Sequence, residues 1–313
     1  MNVEDTTTRV DTETARAAFA QEFKKIKLPV LPAAVSRLIA EINRDEPDTS
    51  RLEKIIASEP QISAKVLRTI NSSQFALRAQ VTTIRHAISM LGLNRVRSIG
   101  LSYAMLEAIP EPDDPFFRHE AFWTDTLLRS LLARSITQRV MPGQEDEAYT
   151  AMMLADISVP VLLTAWAEKY QPIFARWQGD VKELALLERE HVGFDHALAS
   201  AWILRKWEFP EKLVSAAAAH NCDVRQLRNE GLIDTIAMPV MCASLLPSSL
   251  RPCRDRMREQ IKVAKRELGL DRSLWPELHD EVRTAFGAVC EEFDLTGHLA
   301  IEVLGVLEDA ANT

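Results

Sequence analysis

Apolar residues recur along most of this chain at the spacing of an α-helix. Between Val35 and Ile42 they fall at positions i, i+3, i+4 and i+7, which places them on one helical face. Stretches with comparable spacing lie at 52–56, 62–70, 84–91, 118–140, 147–169, 181–190, 194–207 and 211–220, and less regular ones at 232–245, 252–268 and 276–309. No segment alternates apolar and polar residues as a half-buried β-strand would. The pattern therefore predicts an all-α fold, a bundle of many helices.

Short polar motifs predict where several of these helices begin and end. Ser50 with Glu53, and Ser58 with Gln61, have the spacing of capping boxes, in which two side chains satisfy the first backbone N–H groups of a helix. Gly92 follows a helical stretch at the position where a glycine commonly ends a helix. These signals predict helix boundaries near residues 50, 58 and 92.

Composition along the chain divides it into parts. Residues 1–14 are polar, acidic and rich in threonine, which predicts a disordered N-terminus. The segment 109–115 contains three prolines and three acidic residues and is the clearest internal boundary. We therefore expect an N-terminal helical subdomain over 15–108 and a second helical bundle over 115–313.

Overall composition excludes several classes of protein. Hydrophobic residues make up 47% and charged residues 26% of the 313 positions, the profile of an ordinary globular protein. The formal net charge of −8 opposes non-specific binding to nucleic acid, which requires a positive surface. Four scattered cysteines lack the paired spacing of a disulfide framework or a structural zinc site. Because we find neither a signal peptide nor an apolar run of membrane-spanning length, we expect a cytoplasmic protein without a membrane partner.

One pair of short predicted helices, within 52–70, can be compared with a DNA-binding helix-turn-helix. Its second helix carries Lys65 and Arg68, but Glu59-Pro60 stands where the turn usually contains a glycine. Helix pairs of this shape are common in α-helical bundles. Binding to nucleic acid is therefore unfavoured, and a DNA-binding regulator is kept as the third hypothesis.

An ordered set of short motifs spans about Leu28 to Asn221, and no motif that we can place follows it. The motifs are, in chain order, Leu28-Pro29-x-Leu31-Pro32, Asn71-Ser72, Val81-Thr82-x-Ile84, Ala87-Ile88, Leu91-Gly92-x-Asn94-Arg95-x-Arg97, Phe122-Trp123, Glu188-x-x-x-x-Gly193-x-Asp195-His196, Trp207-x-x-Pro210 and His220-Asn221. Together they resemble one known family, the HDOD or "HD-related output domain" of bacterial signalling proteins. The fold that this resemblance implies is HD-like.

The resemblance also implies a relation to the HD metal-dependent phosphohydrolases, which include cyclic-dinucleotide phosphodiesterases. Those enzymes hold metal ions with a His, an adjacent His-Asp pair and a later Asp, ligands that leave a coordination position for an activated water. Here Asp125 stands at the first position, and Ala155 replaces the His before Asp156. Ser244 stands near the last position. Three of four ligand positions are changed, which predicts no metal, no cofactor and no enzymatic activity.

Four residues are candidates for lining a ligand pocket: Asp125, Asp156, His196 and His220. Each of the last three also has a structural interpretation. Asp156 lies just ahead of an apolar helical stretch, which its carboxylate could cap. His220 ends an alanine-rich helix, where the helix dipole favours a histidine, and either histidine could be held by a structural hydrogen bond.

Three arginines, Arg85, Arg95 and Arg97, are candidates for contact with a partner or an anion. The favoured interpretation is that they clamp carboxylates of the second subdomain, since Arg forms bidentate pairs with carboxylates. The alternative is that they bind an anionic ligand or a partner protein.

The leading hypothesis is a non-catalytic signal-transduction or regulatory module that acts by binding a protein partner in a bacterial signalling pathway. A small anionic ligand could gate that binding. No receiver, kinase or cyclase signature is present, so an input domain is expected on another polypeptide. The alternative is a residual metal-dependent phosphohydrolase or nucleotide-binding protein that uses Asp125, Asp156 and the two histidines.

Overall fold

Helices account for the regular structure of the computed structural model, which describes residues 28–44, 46–71, 80–178, 181–249 and 254–293, with 295, 298, 302–305 and 308 beyond them. The helices are α1 (Ala33–Ile42), α2 (Thr49–Ala57), α3 (Pro60–Asn71), α4 (Ile84–Leu91), α5 (Leu93–Ala108), α6 (His119–Val140), α7 (Glu145–Ala155), α8 (Ser158–Ala165), α9 (Ala167–Arg176), α10 (Val181–Val192), α11 (His196–Lys206), α12 (Glu211–Ala218), α13 (Val224–Asn229), α14 (Ala237–Ser244), α15 (Arg254–Leu268) and α16 (Trp275–Phe293). Because no strand occurs among these described residues, the all-α prediction is confirmed. The predicted disorder of residues 1–14 lies outside them.

The ends of the first helices show which sequence signals are correct. Asp48, not Ser50, caps α2: its carboxylate accepts hydrogen bonds from the backbone N–H groups of Ser50 at 2.8 Å and Arg51 at 3.4 Å. Ser58 closes the same helix by donating to the Ile55 carbonyl at 2.8 Å. Both predicted capping boxes are therefore wrong. Gly92 is confirmed as a helix end, and its φ of 84° is the left-handed backbone that glycine adopts without strain.

The N-terminal helices pack around α5, which contacts α1, α2, α3 and α4. The opposite side of α5 lies against α7 through a row of buried polar contacts. Ser98 Oγ lies 3.0 Å from Thr150 Oγ1, and Ser102 Oγ lies 3.2 Å from the Tyr149 hydroxyl. These contacts connect the predicted subdomain 15–108 with the helices that follow it.

The 22-residue helix α6 is the centre of the second group of helices, where it packs against α7, α14 and α16. The neighbouring α7 and α8 contain the one described stretch, Glu145–Ala165, that is long and apolar enough to cross a membrane. Since 89% of its apolar window is buried inside the protein, this stretch packs as core. Helices α11 and α12 cover α7 and bring the two candidate histidines towards the end of that helix.

Candidate functional site

The site is built on one face of α6, where Asp125 and Arg129 lie one helical turn apart. Asp125 is buried and accepts hydrogen bonds from Ser248 Oγ at 2.8 Å and from the Ser249 backbone N–H at 2.6 Å. Burial raises the pKa of the Asp125 carboxyl, although these donors and Arg129 oppose the rise. The Asp125 carboxylate is therefore hydrogen-bonded to the segment that follows α14.

Arg129 is 3% exposed and reaches across the core with its guanidinium. Its Nε donates to the Leu246 carbonyl at 3.0 Å, and its Nη1 lies 3.3 Å from Asp156 Oδ2. Its Nη2 is buried and has no hydrogen-bond partner in the described part of the chain. The guanidinium of Arg129 therefore places a positive charge at the centre of the site. Sequence reasoning did not select this residue.

Asp156 does not cap α8, contrary to the structural interpretation of its position. The residue at the start of that helix is Ile157, and no side chain caps it. The Asp156 carboxylate instead lies between Arg129 and two histidines: its Oδ1 is 3.1 Å from His220 Nε2 and 3.5 Å from His196 Nε2. Burial alone would raise its pKa, but the contacts with His220, His196 and Arg129 outweigh burial and hold the pKa well below its usual range.

His196 begins α11 and is anchored by the buried carboxylate of Glu188 in α10. Glu188 Oε2 accepts from the His196 backbone N–H at 2.8 Å and lies 2.6 Å from its Nδ1. The other oxygen, Oε1, accepts the hydroxyl proton of Tyr170. Burial opposes a charge on the imidazole, but Glu188 and Asp156 outweigh it and raise the pKa of His196 to about 9. The raised pKa favours the protonated ring of His196 at neutral pH. Glu188 is part of a motif that carries the resemblance, but nothing in the sequence marked it as a partner of His196.

His220 approaches the same point from the end of α12. Its Nδ1 lies 2.7 Å from the Ala217 carbonyl, which orients the ring so that Nε2 is 3.3 Å from His196 Nε2. Ser244, the residue near the position of the missing late aspartate, donates to the His220 carbonyl at 2.6 Å. Asn221 places its side-chain amide 2.8 Å from His196 Nε2. Ser244 therefore supports the backbone of His220 and is not itself within the cluster.

Asp156, His196 and His220 form the one group in the described residues whose donor atoms could together hold a metal ion. The three donor atoms are 3.1, 3.3 and 3.5 Å apart. Ligands at about 2.0–2.1 Å from a tetrahedral ion lie roughly 3.3 Å from each other, so the spacing fits such an ion. The Nδ1 contacts with Glu188 and Ala217 are also those that orient histidine ligands. The geometry thus fits a divalent ion better than the sequence predicted, whereas the local charge opposes it.

The structure brings three of the four pocket candidates together and leaves the fourth, Asp125, on the wall of the same cavity. This cavity lies between α6 and the aromatic residues of α9 and its flanks, and its volume is about 50 Å³. Arg129, Asp156 and His196 line it as well. It has room for a few water molecules or for one compact group of a ligand.

The three candidate arginines lie elsewhere, and their environments differ. Arg95 is buried and pairs with Asp146 of α7 at 3.4 Å, a clamp between the two groups of helices of the predicted kind. Burial lowers the pKa of its guanidinium to about 10. Arg85 pairs with Glu53 at 2.5 Å, so its predicted clamp to the second subdomain is wrong: both partners belong to residues 15–108. Arg97 is half-buried, and burial lowers its pKa although nearby carboxylates oppose this.

Comparison with known proteins defines the class: the helices form an HD-like helical domain. The sequence matches the HDOD domain family over residues 28–222, and the chain therefore belongs to the HDOD family. No curated protein matches the chain. The sequence resemblance is thus confirmed over almost the same residues.

Solved structures of bacterial proteins share this fold. An HDOD domain protein of unknown function from Geobacter sulfurreducens has a TM-score of 0.65 at 16% identity, covering 96% of this chain and 99% of that one. A Shewanella amazonensis SB2B protein named "Putative phosphohydrolase" has a TM-score of 0.62 at 20% identity, covering 93% and 98%. A Marinobacter aquaeolei VT8 protein named "Putative signal transduction protein" has a TM-score of 0.64 at 17% identity, covering 96% and 66%. At these identities the similarity establishes the fold alone.

Proposed function

We propose that this chain is a non-catalytic signal-transduction module of the HDOD family, which acts by binding a protein partner. The observation that carries the proposal is the position of Arg129. Its guanidinium lies 3.3 Å from Asp156, the one residue of the His-Asp pair that this sequence retains. A fixed positive charge therefore stands beside the carboxylate that would otherwise bind a catalytic cation.

The charge on His196 works in the same direction. An imidazole binds a metal ion only in its neutral form, and the pKa of His196 is raised to about 9. A proton on His196 therefore competes with a metal ion for the ring nitrogen that faces Asp156. Arg129 adds direct repulsion. The protein's own cations thus neutralise Asp156 without a metal ion.

Turnover of phosphodiesters tests the absence of catalysis. Purified full-length protein should hydrolyse cyclic dinucleotides and bis(p-nitrophenyl) phosphate in the presence of Mn²⁺ or Mg²⁺ no faster than its Asp156→Asn variant does. The same preparation should be folded, as judged by its helical circular dichroism. Metal-dependent turnover that Asp156→Asn abolishes would overturn the proposal.

A metal-dependent phosphohydrolase is the second candidate, and the Asp156–His196–His220 triangle is the observation that favours it. These three residues would hold the ion, with Glu188 orienting His196 and Ala217 orienting His220. A bound divalent ion would supply an activated water and polarise a phosphoryl oxygen. Arg129 and protonated His196 would both oppose binding of a divalent cation. This candidate therefore requires His196 to lose its proton and Arg129 to move away from Asp156.

DNA binding receives little support from the helix pair α2–α3. Lys65 pairs with Glu107 at 3.0 Å and lies over the ring of Tyr103, so its charge is engaged within the protein. The apolar face of α3, including Val66 and Ile70, is buried against its neighbours. A partner protein accordingly remains the proposed target of this module.

A further inference from the structure

The unpartnered end of Arg129 is the feature of this molecule that most needs an explanation. Its Nε and Nη1 are engaged by Leu246 and Asp156, whereas Nη2 is enclosed and makes no hydrogen bond within the described residues. Buried polar groups are nearly always hydrogen-bonded, and a charged donor without an acceptor is rarer still. Such a donor on a cavity wall is typical of a site that receives its acceptor from a ligand.

The cavity beside Arg129 has an aromatic wall. Phe117 stands at the entrance with its ring centroid 5.6 Å from that of Phe122 and 6.2 Å from that of Phe174. Trp177 continues the row, 5.2 Å beyond Phe174. The cavity therefore joins one buried cationic donor to a surface suited to a flat or aliphatic group.

We propose that this cavity binds a small carboxylic acid with an apolar body. Its carboxylate accepts a hydrogen bond from Arg129 Nη2, and its body lies against the rings of Phe117 and Phe174. The inference rests on the proposed function, because it assigns the chemistry of the ligand that gates a non-catalytic module.

The other charged residues of the cavity favour a carboxylate ligand over a phosphate. Asp125 also lines the cavity, and its carboxylate repels a doubly charged phosphate more strongly than a singly charged carboxylate. The volume of about 50 Å³ has room for a carboxylate group but not for a nucleotide. Arg118 lies exposed on the rim of the cavity, where it attracts an incoming anion.

A ligand in this cavity can change the protein surface by displacing Phe117. Phe117 and Phe122 line the cavity and are only half-buried, so their rings form the accessible part of its aromatic wall. Phe117 belongs to the segment that connects α5 with α6, next to Phe116, whose side chain is 54% exposed. Movement of Phe117 therefore shifts the exposed side chain of Phe116. A protein partner that contacts Phe116 would then bind the ligand-free and ligand-bound forms with different affinity.

Calorimetric titration of the full-length chain tests the ligand class. Benzoate, phenylacetate and hexanoate are the carboxylate probes, with benzyl alcohol as the uncharged match of benzoate and inorganic phosphate as the dianion. At least one carboxylate should bind with a dissociation constant of roughly millimolar or below. Absence of binding by all three, or equal binding of benzyl alcohol or phosphate, would overturn the proposal.

Two variants separate recognition from folding. Arg129→Gln should weaken carboxylate binding at least about tenfold, since it removes the charged donor. Because this change also disturbs Asp156, Phe117→Ala provides a second variant at the cavity entrance, and it should weaken binding of phenylacetate several-fold. The matched control is Arg225→Gln, because Arg225 is exposed and does not line this cavity. This change should leave the affinity for the carboxylate unchanged. Carboxylate binding that both cavity variants retain at full strength would place the ligand elsewhere.

The outcomes distinguish this inference from the function on which it rests. If no carboxylate binds and no phosphodiester is hydrolysed, the ligand class is wrong and the non-catalytic proposal stands. If Mn²⁺-dependent turnover is found, the non-catalytic proposal fails whatever the titrations give.

Discussion

Replacing Glu188 by alanine is expected to lower the free energy of unfolding by about 3–5 kcal/mol. Its side chain is fully buried and holds three donors at once: the Tyr170 hydroxyl, the His196 backbone N–H and the His196 ring. Alanine leaves the His196 ring nitrogen, its backbone N–H and the Tyr170 hydroxyl in the core without their acceptor. Because buried polar groups without partners are among the most costly defects, few single substitutions in this chain should have a larger effect.

Urea denaturation followed by circular dichroism measures this loss. Glu190→Ala is the matched control, since Glu190 lies two residues along the same helix and is exposed; its effect should stay within about 0.5 kcal/mol. Glu188→Gln retains a hydrogen-bonding group without the charge and should fall between the two. If the free energies of unfolding of Glu188→Ala and Glu190→Ala differ by less than about 1 kcal/mol, the hydrogen bonds of Glu188 do not stabilise the fold to the extent proposed.

Stability is expected to fall by about 3 kcal/mol as the pH rises from about 6 to 9. The pKa of His196 is raised from the ordinary 6.5 to about 9 in the folded protein. A group with a raised folded pKa contributes its full stabilisation below the unfolded value of 6.5, and that contribution is lost as the pH passes through 9. The shift of about 2.5 units corresponds to roughly 3 kcal/mol, because each unit is worth about 1.4 kcal/mol.

A pH series of denaturation curves measures the slope, and Glu188→Gln provides the test of its origin. Removal of the Glu188 charge lowers the pKa of His196 and should flatten the curve, whereas His86→Gln, at an exposed histidine, should preserve the slope. The thiols of Cys222 and Cys242, whose pKa values burial raises to about 11 and about 12, affect stability only near and above pH 9. A wild-type curve that is flat between pH 6 and 9 would show that folding does not raise the pKa of His196.

Helical periodicity and motif order were enough to predict the fold, because both depend on residues that are close together in the sequence. The all-α class, the helix end at Gly92 and the family all follow from such local patterns. Capping was harder to predict: Asp48 and Ser50 are both good caps two residues apart, and only the path of the chain after α1 decides between them.

The site was predictable only as a set of candidates. Asp156, His196 and His220 come from three different helix ends, and their separation of 3.1–3.5 Å depends on how α7, α11 and α12 pack. Sequence spacing does not contain that information. Arg129 and Glu188, which set the charge of the cluster, are ordinary residues of amphipathic helices in the sequence. Their roles become visible only when the burial of their side chains is known.

The central claim is that the protein's own cations, Arg129 and protonated His196, stand in place of a metal ion at Asp156. The most direct test is the metal content of the purified full-length chain, measured by mass spectrometry after equilibration with Mn²⁺ or Zn²⁺ at pH 7 and dialysis. The wild type is predicted to retain no more metal than Asp156→Asn does. Retention of one ion per chain by the wild type, lost in Asp156→Asn and kept in the exposed-histidine control His86→Gln, would contradict the account.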